Sequence, residues 1–375
     1  MIFDEVYTIR TAEERCLNQR HRRVECDHCV KNCPAGAISK YKNHIYINKD
    51  LCKGCGLCLS DCPTEVFYSN QWDETTISQE VSLQGWKRTE FFCAEHAPTP
   101  QDEDREKGAV RLPTCLSSIS RGAWFELGLK TEIDLFIDQC DGCPIGKTFS
   151  RLECNVSTAV EWLEATGHKA RINFVNWCEN DSSKKYRKMV DAGLKLTSRR
   201  ELFLSLIDHA KQAIKGVEVN TVGILDVDFL PKWRKRFAEI YQENAIEGSS
   251  AAYWPTIKIS DECVNCGVCS LFCPSKTLQI SEEGGTTLHS FTSGYCLDCR
   301  ICEMICSVGA ISRDREKVEK PFETITISTA PIMVCKRCEG TTTKNPGGLC
   351  YWCRQEDAIE SNLKETYKNI FLRTG

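Results

Sequence analysis

One cysteine pattern recurs four times in this chain and constrains its fold more than any other feature. The runs are Cys26-x2-Cys29-x3-Cys33-Pro34 and Cys52-x2-Cys55-x2-Cys58-x3-Cys62-Pro63, then Cys263-x2-Cys266-x2-Cys269-x3-Cys273-Pro274 and Cys296-x2-Cys299-x2-Cys302-x3-Cys306. Behind the last cysteine of each stands an echo: CPAGAI, CPTEVF, CPSKTL and CSVGAI. Two residues between thiols bend the backbone into a tight loop that points sulfurs and amide N–H groups at one centre. A cysteine three residues further on is already leaving on a helix, so it reaches a neighbouring centre. The proline behind it suits a first helical turn, where no N–H is needed. Such spacing holds cubane iron–sulfur clusters, and runs in pairs make two clusters that exchange their fourth ligands.

Other uses of cysteine fit less well. Disulfides need an oxidising compartment, and the N-terminal MIFDEVYTIRTAEERC lacks the apolar stretch of a secretory signal. Zinc usually takes two pairs of ligands rather than four evenly spaced cysteines before a proline. The 375 residues leave room for two or three domains, and 26 cysteines far exceed ordinary intracellular usage. A net charge of −4 gives no general attraction to nucleic acid or anionic lipid. No apolar run approaches the roughly 20 residues that span a bilayer. These features predict a soluble, reduced, cytoplasmic protein.

Register predicts the cluster sets. In the first pair the opening run should begin at residue 23, which is Arg23; Cys16, ten residues before Cys26, is the substitute. Two readings stand: a four-iron cluster on Cys16, Cys26, Cys29 and Cys62, or a three-iron cluster on the last three with Cys16 a buried thiol. The neighbouring cluster takes Cys52, Cys55, Cys58 and Cys33. Downstream the sets are Cys263, Cys266, Cys269 with Cys306, and Cys296, Cys299, Cys302 with Cys273. Ser307 replaces the usual proline there, with no expected loss, because proline favours that turn but ligates nothing.

The remaining segments divide around these runs. Residues 1–70 form a first cluster-bearing module, and Ser69 to about Lys87 reads as a polar connector. Residues 88–180 alternate strand-like pieces (89–93, 109–115, 133–140, 170–177) with helix-like ones (119–129, 157–166), which predicts a small α/β domain with a largely parallel sheet. Residues 181–250 read as a helical connector, with Ser198 an N-cap. A second cluster-bearing module covers 256–320, a cysteine-rich tail 326–356, and a terminal helix 357–375. The predicted class is α+β.

Both modules resemble bacterial two-cluster ferredoxins and the polyferredoxin-like subunits of hydrogenases and of molybdenum or tungsten oxidoreductases. The resemblance implies a fold of two hairpins and two short helices holding two [4Fe-4S] clusters. The middle pattern FFC … LPTCLSSISRGAWFELGL … FIDQCDGCPIG is similar to the delta iron–sulfur subunit of methyl-viologen-reducing hydrogenases. That family carries a two-iron cluster, and its cysteine positions are matched by Cys93, Cys115, Cys140 and Cys143. Its second cysteine, three after the first, is His96 here, which is either a ligand or a plain loop histidine. Independently, successive parallel strands would bring Cys93, Cys115 and Cys140 to the sheet's carboxyl edge, where sites gather in such folds. The competing reading is an interaction domain with buried thiols, as expected of Cys154 and Cys178.

Cys335-x2-Cys338-x11-Cys350-x2-Cys353 forms a second kind of site, two knuckles around a Gly/Thr/Asn-rich loop. Such a zinc-ribbon-like S4 set takes zinc by default, and a rubredoxin-like iron would use the same ligands. Lys184, Lys185, Arg187, Lys188, Lys232, Arg234, Lys235 and Arg236 make a basic stretch, either a solvated helix face or a dock for an acidic redox partner. No glycine-rich dinucleotide fingerprint and no nucleophile–base arrangement is evident. Two functions follow. One is an electron-transfer subunit relaying single electrons between a soluble ferredoxin and a catalytic oxidoreductase of hydrogenase, formate dehydrogenase or molybdenum/tungsten reductase type. The other is an accessory protein that binds and reductively activates a metalloenzyme.

Overall fold

The computed structural model describes residues 9–21, 23–69, 72–95, 107–176, 189–191, 229–246, 251–343 and 346–360. The chain divides into two compact units, Met1–Ala252 and Tyr253–Gly375.

The first unit begins with short strands wrapped around the cysteine runs. β1 (Ile9–Thr11) pairs antiparallel with β4 (Phe67–Ser69), and β2 (Ile38–Tyr41) forms a hairpin with β3 (His44–Ile47). Helices α1 (His28–Asn32) and α2 (Leu57–Asp61) end at Cys33 and Cys62. Ile38, Ile45, Val66 and Phe67 turn inward and pack with Cys16 and Cys62. Two-stranded pieces this small are marginal in water on their own. Cysteines stand among the apolar side chains of their interior, so whatever the cysteines hold is part of the core.

The connector read between Ser69 and Lys87 contains a helix, α3 (Glu74–Gln84). Asp73 caps it by accepting from the Thr76 N–H, and Gly85 (φ 63°) closes it in the left-handed region. Only Ile77, Ser78 and Val81 are buried on it, too thin a stripe to stand out as periodicity.

Five parallel strands follow, in the spatial order β8-β7-β5-β6-β9: β5 (Arg88–Phe92), β6 (Lys107–Arg111), β7 (Glu132–Phe136), β8 (Ile172–Val175) and β9 (Met189–Asp191). Phe91, Phe92, Val110, Ile133 and Leu135 are fully buried, as the near-continuous apolar strands of a parallel sheet require. Gly108 is obligatory, because a Cβ there would lie 1.9 Å from the Trp86 ring. Helix α4 (Arg121–Lys130) returns the chain from β6 to β7, and α5 (Phe149–Ala165) from β7 to β8. The latter starts eight residues before the expected 157, since its first turns carry polar residues facing outward. β9 falls inside the stretch read as helical. Three residues on a sheet edge, lent their order by β6, have too little pattern of their own to be seen.

Within that stretch α6 (Lys232–Asn244) is helical and lays Phe237 on Phe125 (5.2 Å, edge-to-face) and Trp162 (4.3 Å). Arg236 binds Glu126 of α4 at 2.5 and 2.6 Å. Ser198 and the basic residues 184–188 lie outside the described residues.

The second unit repeats the first arrangement. β10 (Ala252–Ile259) pairs with β13 (Ile311–Val318), while β11 (Leu278–Glu283), β12 (Thr286–Phe291) and β14 (Ile325–Pro331) form an antiparallel sheet. Helices α7 (Val268–Leu271) and α8 (Ile301–Ile305) follow their cysteine loops. In the tail, β15 (Met333–Val334) pairs with β16 (Thr341–Thr342), and residues 351–360 are helical, so helix begins before the expected 357.

Candidate metal centres

The cysteines of each repeat converge on paired cavities. One of about 320 Å³ is bordered by Cys16, Cys26, Cys29 and Cys62, and one of about 470 Å³ by Cys33, Cys52, Cys55 and Cys58, with Cys29 between them. In the second unit one of about 380 Å³ is bordered by Cys263, Cys266, Cys269 and Cys306, and one of about 310 Å³ by Cys273, Cys296, Cys299 and Cys302. Each cavity thus meets the leading cysteines of one run and the closing cysteine of its neighbour.

Local backbone geometry produces this. In the three complete runs both residues flanking the second cysteine are left-handed: Gly54 and Gly56, Asn265 and Gly267, Asp298 and Arg300. Such alternation turns successive N–H groups to one side and makes a concave anion nest. The truncated first run lacks it, with Asp27 at φ −135°. At the other end of the runs, the N–H of the fourth residue beyond a closing cysteine donates to its sulfur: Ala37 to Cys33 (3.3 Å), Val66 to Cys62 (3.4 Å) and Ala310 to Cys306 (3.2 Å). The recurrent echo therefore supplies N–H donors to sulfur. Ser307 costs nothing visible, since Gly309 still donates to the Cys306 carbonyl (3.3 Å) as Gly36 does to Cys33 (3.2 Å).

Cys16 enters its cavity through a clasp that sequence reasoning missed. Asn18 is buried; its Nδ2 donates to the Cys26 carbonyl (2.8 Å) and its Oδ1 accepts the Cys26 N–H (2.9 Å). The same Nδ2 lies 3.6 Å from the Cys16 sulfur. One side chain thus ties the long loop to the short run. The signal was a lone amide two residues beyond the displaced cysteine.

The thiols suit a multi-atom anion-binding metal body. Burial, reinforced by neighbouring sulfurs, pushes Cys29 up to about 12, and burial pushes Cys55 to about 12 and Cys26 to about 11. Left alone they would stay protonated at neutral pH, and a cationic iron core is what makes clustered thiolates favourable.

The middle domain gathers Cys93, Cys115, Cys140 and Cys143 around a further cavity of about 490 Å³, walled by Leu116, Phe136, Ile145 and Leu152. Cys93 directly follows β5, and Cys115 and Cys140 stand in the loops after β6 and β7, all at the carboxyl edge. Burial and the other three thiols push Cys140 up to about 12. Cys154 is exposed on α5 and takes no part. His96 and Cys178 lie outside the described residues. This site abuts the first module: the Cys115 N–H donates to the Cys55 carbonyl (3.1 Å), and a Cβ on Gly56 would meet Ser118 at 2.8 Å.

The tail is different. The sulfurs of Cys335, Cys338, Cys350 and Cys353 lie within 4.8 Å of one another, and among the described residues no other Cys, His, Asp or Glu set of three or more is so compact. The Cys338–Cys350 sulfur separation of 3.8 Å is the edge of a tetrahedron with metal–sulfur bonds of about 2.3 Å. Backbone N–H groups of Cys338 and Cys350 draw the Cys335 thiol down to about 6. The compact set fits one ion, and the wider sets fit a larger body.

Known proteins match parts of this chain. Residues 22–66 match the 4Fe-4S dicluster domain family, so the chain contains a 4Fe-4S ferredoxin-like domain. It is similar to the pyruvate synthase subunit PorD of Methanothermobacter marburgensis (43% identical over 42 residues, 11% of this chain and 48% of that protein). It is also similar to the thiosulfate reductase electron transfer subunit PhsB of Salmonella typhi (31% over 101 residues, 25% and 42%). A third relative is the formate dehydrogenase iron-sulfur subunit of Haemophilus influenzae (29% over 125 residues, 32% and 33%). The chain spans less than half the length of each. Among the described residues no helix is long and apolar enough to cross a membrane.

Proposed function

We propose that this chain is a multi-cluster electron-transfer protein, relaying single electrons to or from a catalytic oxidoreductase subunit or a soluble ferredoxin. The observation that carries the reading is the exchange of closing cysteines between paired cavities in both modules. In this reading four [4Fe-4S] clusters are held by Cys16, Cys26, Cys29 and Cys62; Cys33, Cys52, Cys55 and Cys58; Cys263, Cys266, Cys269 and Cys306; and Cys273, Cys296, Cys299 and Cys302. Each such group, when bound, accepts and returns one electron. The protein's part is to supply thiolates and N–H donors and to keep water from the sulfurs.

The middle-domain set would hold a two-iron cluster, as its resemblance to the hydrogenase delta subunit implies, and the tail set a zinc ion that folds a segment with little core of its own. The Cys115–Cys55 hydrogen bond favours the middle site as the neighbour to which the first module passes electrons. Relatives named for thiosulfate reductase and formate dehydrogenase support a partner of reductase or dehydrogenase type. So many cysteines, read as metal ligands and not as disulfides, suit a reducing cytoplasm. Anaerobic affinity purification tests the reading. A catalytic oxidoreductase subunit should co-purify, and in that complex the partner's own substrate should either reduce the oxidised clusters or reoxidise dithionite-reduced ones. Clusters whose redox state that substrate changes in neither direction would refute it.

A further inference from the structure

The four cluster cavities differ in charge. Seven residues beyond the closing cysteine the four repeats carry Lys40, Ser69, Ile280 and Arg313. Lys40 is exposed in its hairpin, whereas the Arg313 side chain is only 6% exposed and borders the cavity of Cys273, Cys296, Cys299 and Cys302. Its Nη2 binds Asp298, the left-handed residue between Cys296 and Cys299, while its Nε is shut from solvent with no hydrogen-bond partner. Burial works against this cation, and the Asp298 carboxylate is the partner that offsets it. The Asp298 side chain is 39% exposed, so water screens the opposing carboxylate far more than it screens the guanidinium. The companion cavity, around Cys263, Cys266, Cys269 and Cys306, is bordered by Ile259, Val264, Ile280 and His289, with no lysine or arginine in its lining.

Resting on the reading that both cavities hold four-iron clusters, we propose that Arg313 makes the Cys273/Cys296/Cys299/Cys302 centre the more easily reduced of the second module's pair. An electron entering the module from a low-potential one-electron donor therefore comes to rest there. The step adds one negative charge to the centre, makes and breaks no bond, and moves no proton. A fixed positive charge in a poorly screened site favours the more negative state, and local charge is a principal determinant of cluster potentials.

The test uses the full chain, reconstituted anaerobically with iron and sulfide and titrated with dithionite under low-temperature EPR. The relevant signal is the one missing in Cys296→Ala. In Arg313→Gln that signal should become at least tenfold harder to reduce, a fall of about 59 mV for one electron, while the other centres hold still. Arg313→Lys should restore most of the shift. Asp298→Asn removes the opposing carboxylate, is tolerated at a left-handed position, and should move the same signal the opposite way. Unchanged reduction in a fully loaded Arg313→Gln protein overturns the proposal. Should that variant fail to load, Asp298→Asn decides, and an unmoved or lowered potential there overturns it. Iron and sulfide content reports separately on the underlying reading, and a wild-type chain that loads no four-iron clusters overturns both.

Discussion

Asn18 should determine how long the first cluster survives. Asn18→Ala removes the partners of the Cys26 N–H and carbonyl together, at 2.9 and 2.8 Å. An unsatisfied buried backbone group costs about 1–3 kcal/mol. Cys26 is only half buried, so water recovers part of this and the sum falls near 2–3 kcal/mol. At about 1.36 kcal/mol per decade, the loop carrying Cys16 should open roughly 30- to 160-fold more often. The assay is iron transfer from the reconstituted protein to a strong chelator. One cluster's share of iron should leave the variant faster by that factor, with the remainder unchanged. Asn18→Asp keeps the acceptor for the Cys26 N–H but loses the donor, and should fall between. Release at the wild-type rate from Asn18→Ala would show that the loop is held by something else and refute the clasp.

Three further outcomes follow from the geometry. Cys16→Ala should turn the first centre into a three-iron species with an EPR signal in the oxidised protein; the same signal already present in wild type and unaltered by the substitution would exclude Cys16 as a ligand. Glu126 is held down to about 2 against its burial by Arg236, Lys130 and Ser78, so relative to an ordinary carboxyl at 4.5 it contributes about 3 kcal/mol. That contribution is full above about pH 4.5 and fades as pH falls toward 2. Glu126→Gln at pH 7 should cost about 2–3 kcal/mol by removing the charged partner of Arg236, which is itself a third exposed, and a urea midpoint equal to wild type would contradict this. Gly56→Ala combines a left-handed φ of 75° with a 2.8 Å approach to Ser118; it should cost at least about 1–2 kcal/mol and loosen the Cys55–Cys115 contact, read as faster amide exchange at Cys115.

Thiol geometry and apolar strands were legible because both are local. Spacing by two and three residues dictates which sulfurs share a loop and which stand at the far end of a short helix, and the cysteines around the cavities group that way even where Arg23 breaks the register. The prolines expected to open a helix instead follow one, because the helices end before Cys33 and Cys62. The parallel sheet was readable from Phe91–Phe92, Val110 and Ile133–Leu135, whose burial on both faces leaves runs of apolar residues. What escaped was non-local or thinly marked. Asn18 works through a partner eight residues away, β9 borrows its order from β6, and α3 announces itself only by the Asp73–Thr76 cap. Arg313 looks like any polar strand residue until the fold carries it behind Cys296 and Cys302.

Paired runs that exchange their closing cysteines should hold four-iron clusters. Mössbauer spectroscopy of the full chain, purified anaerobically after growth on 57Fe and combined with acid-labile sulfide analysis, tests it most directly. The spectra should be dominated by diamagnetic [4Fe-4S] centres, four per chain, each losing its diamagnetism on one-electron reduction. Iron without sulfide, or zinc filling the ferredoxin cysteines, would contradict it.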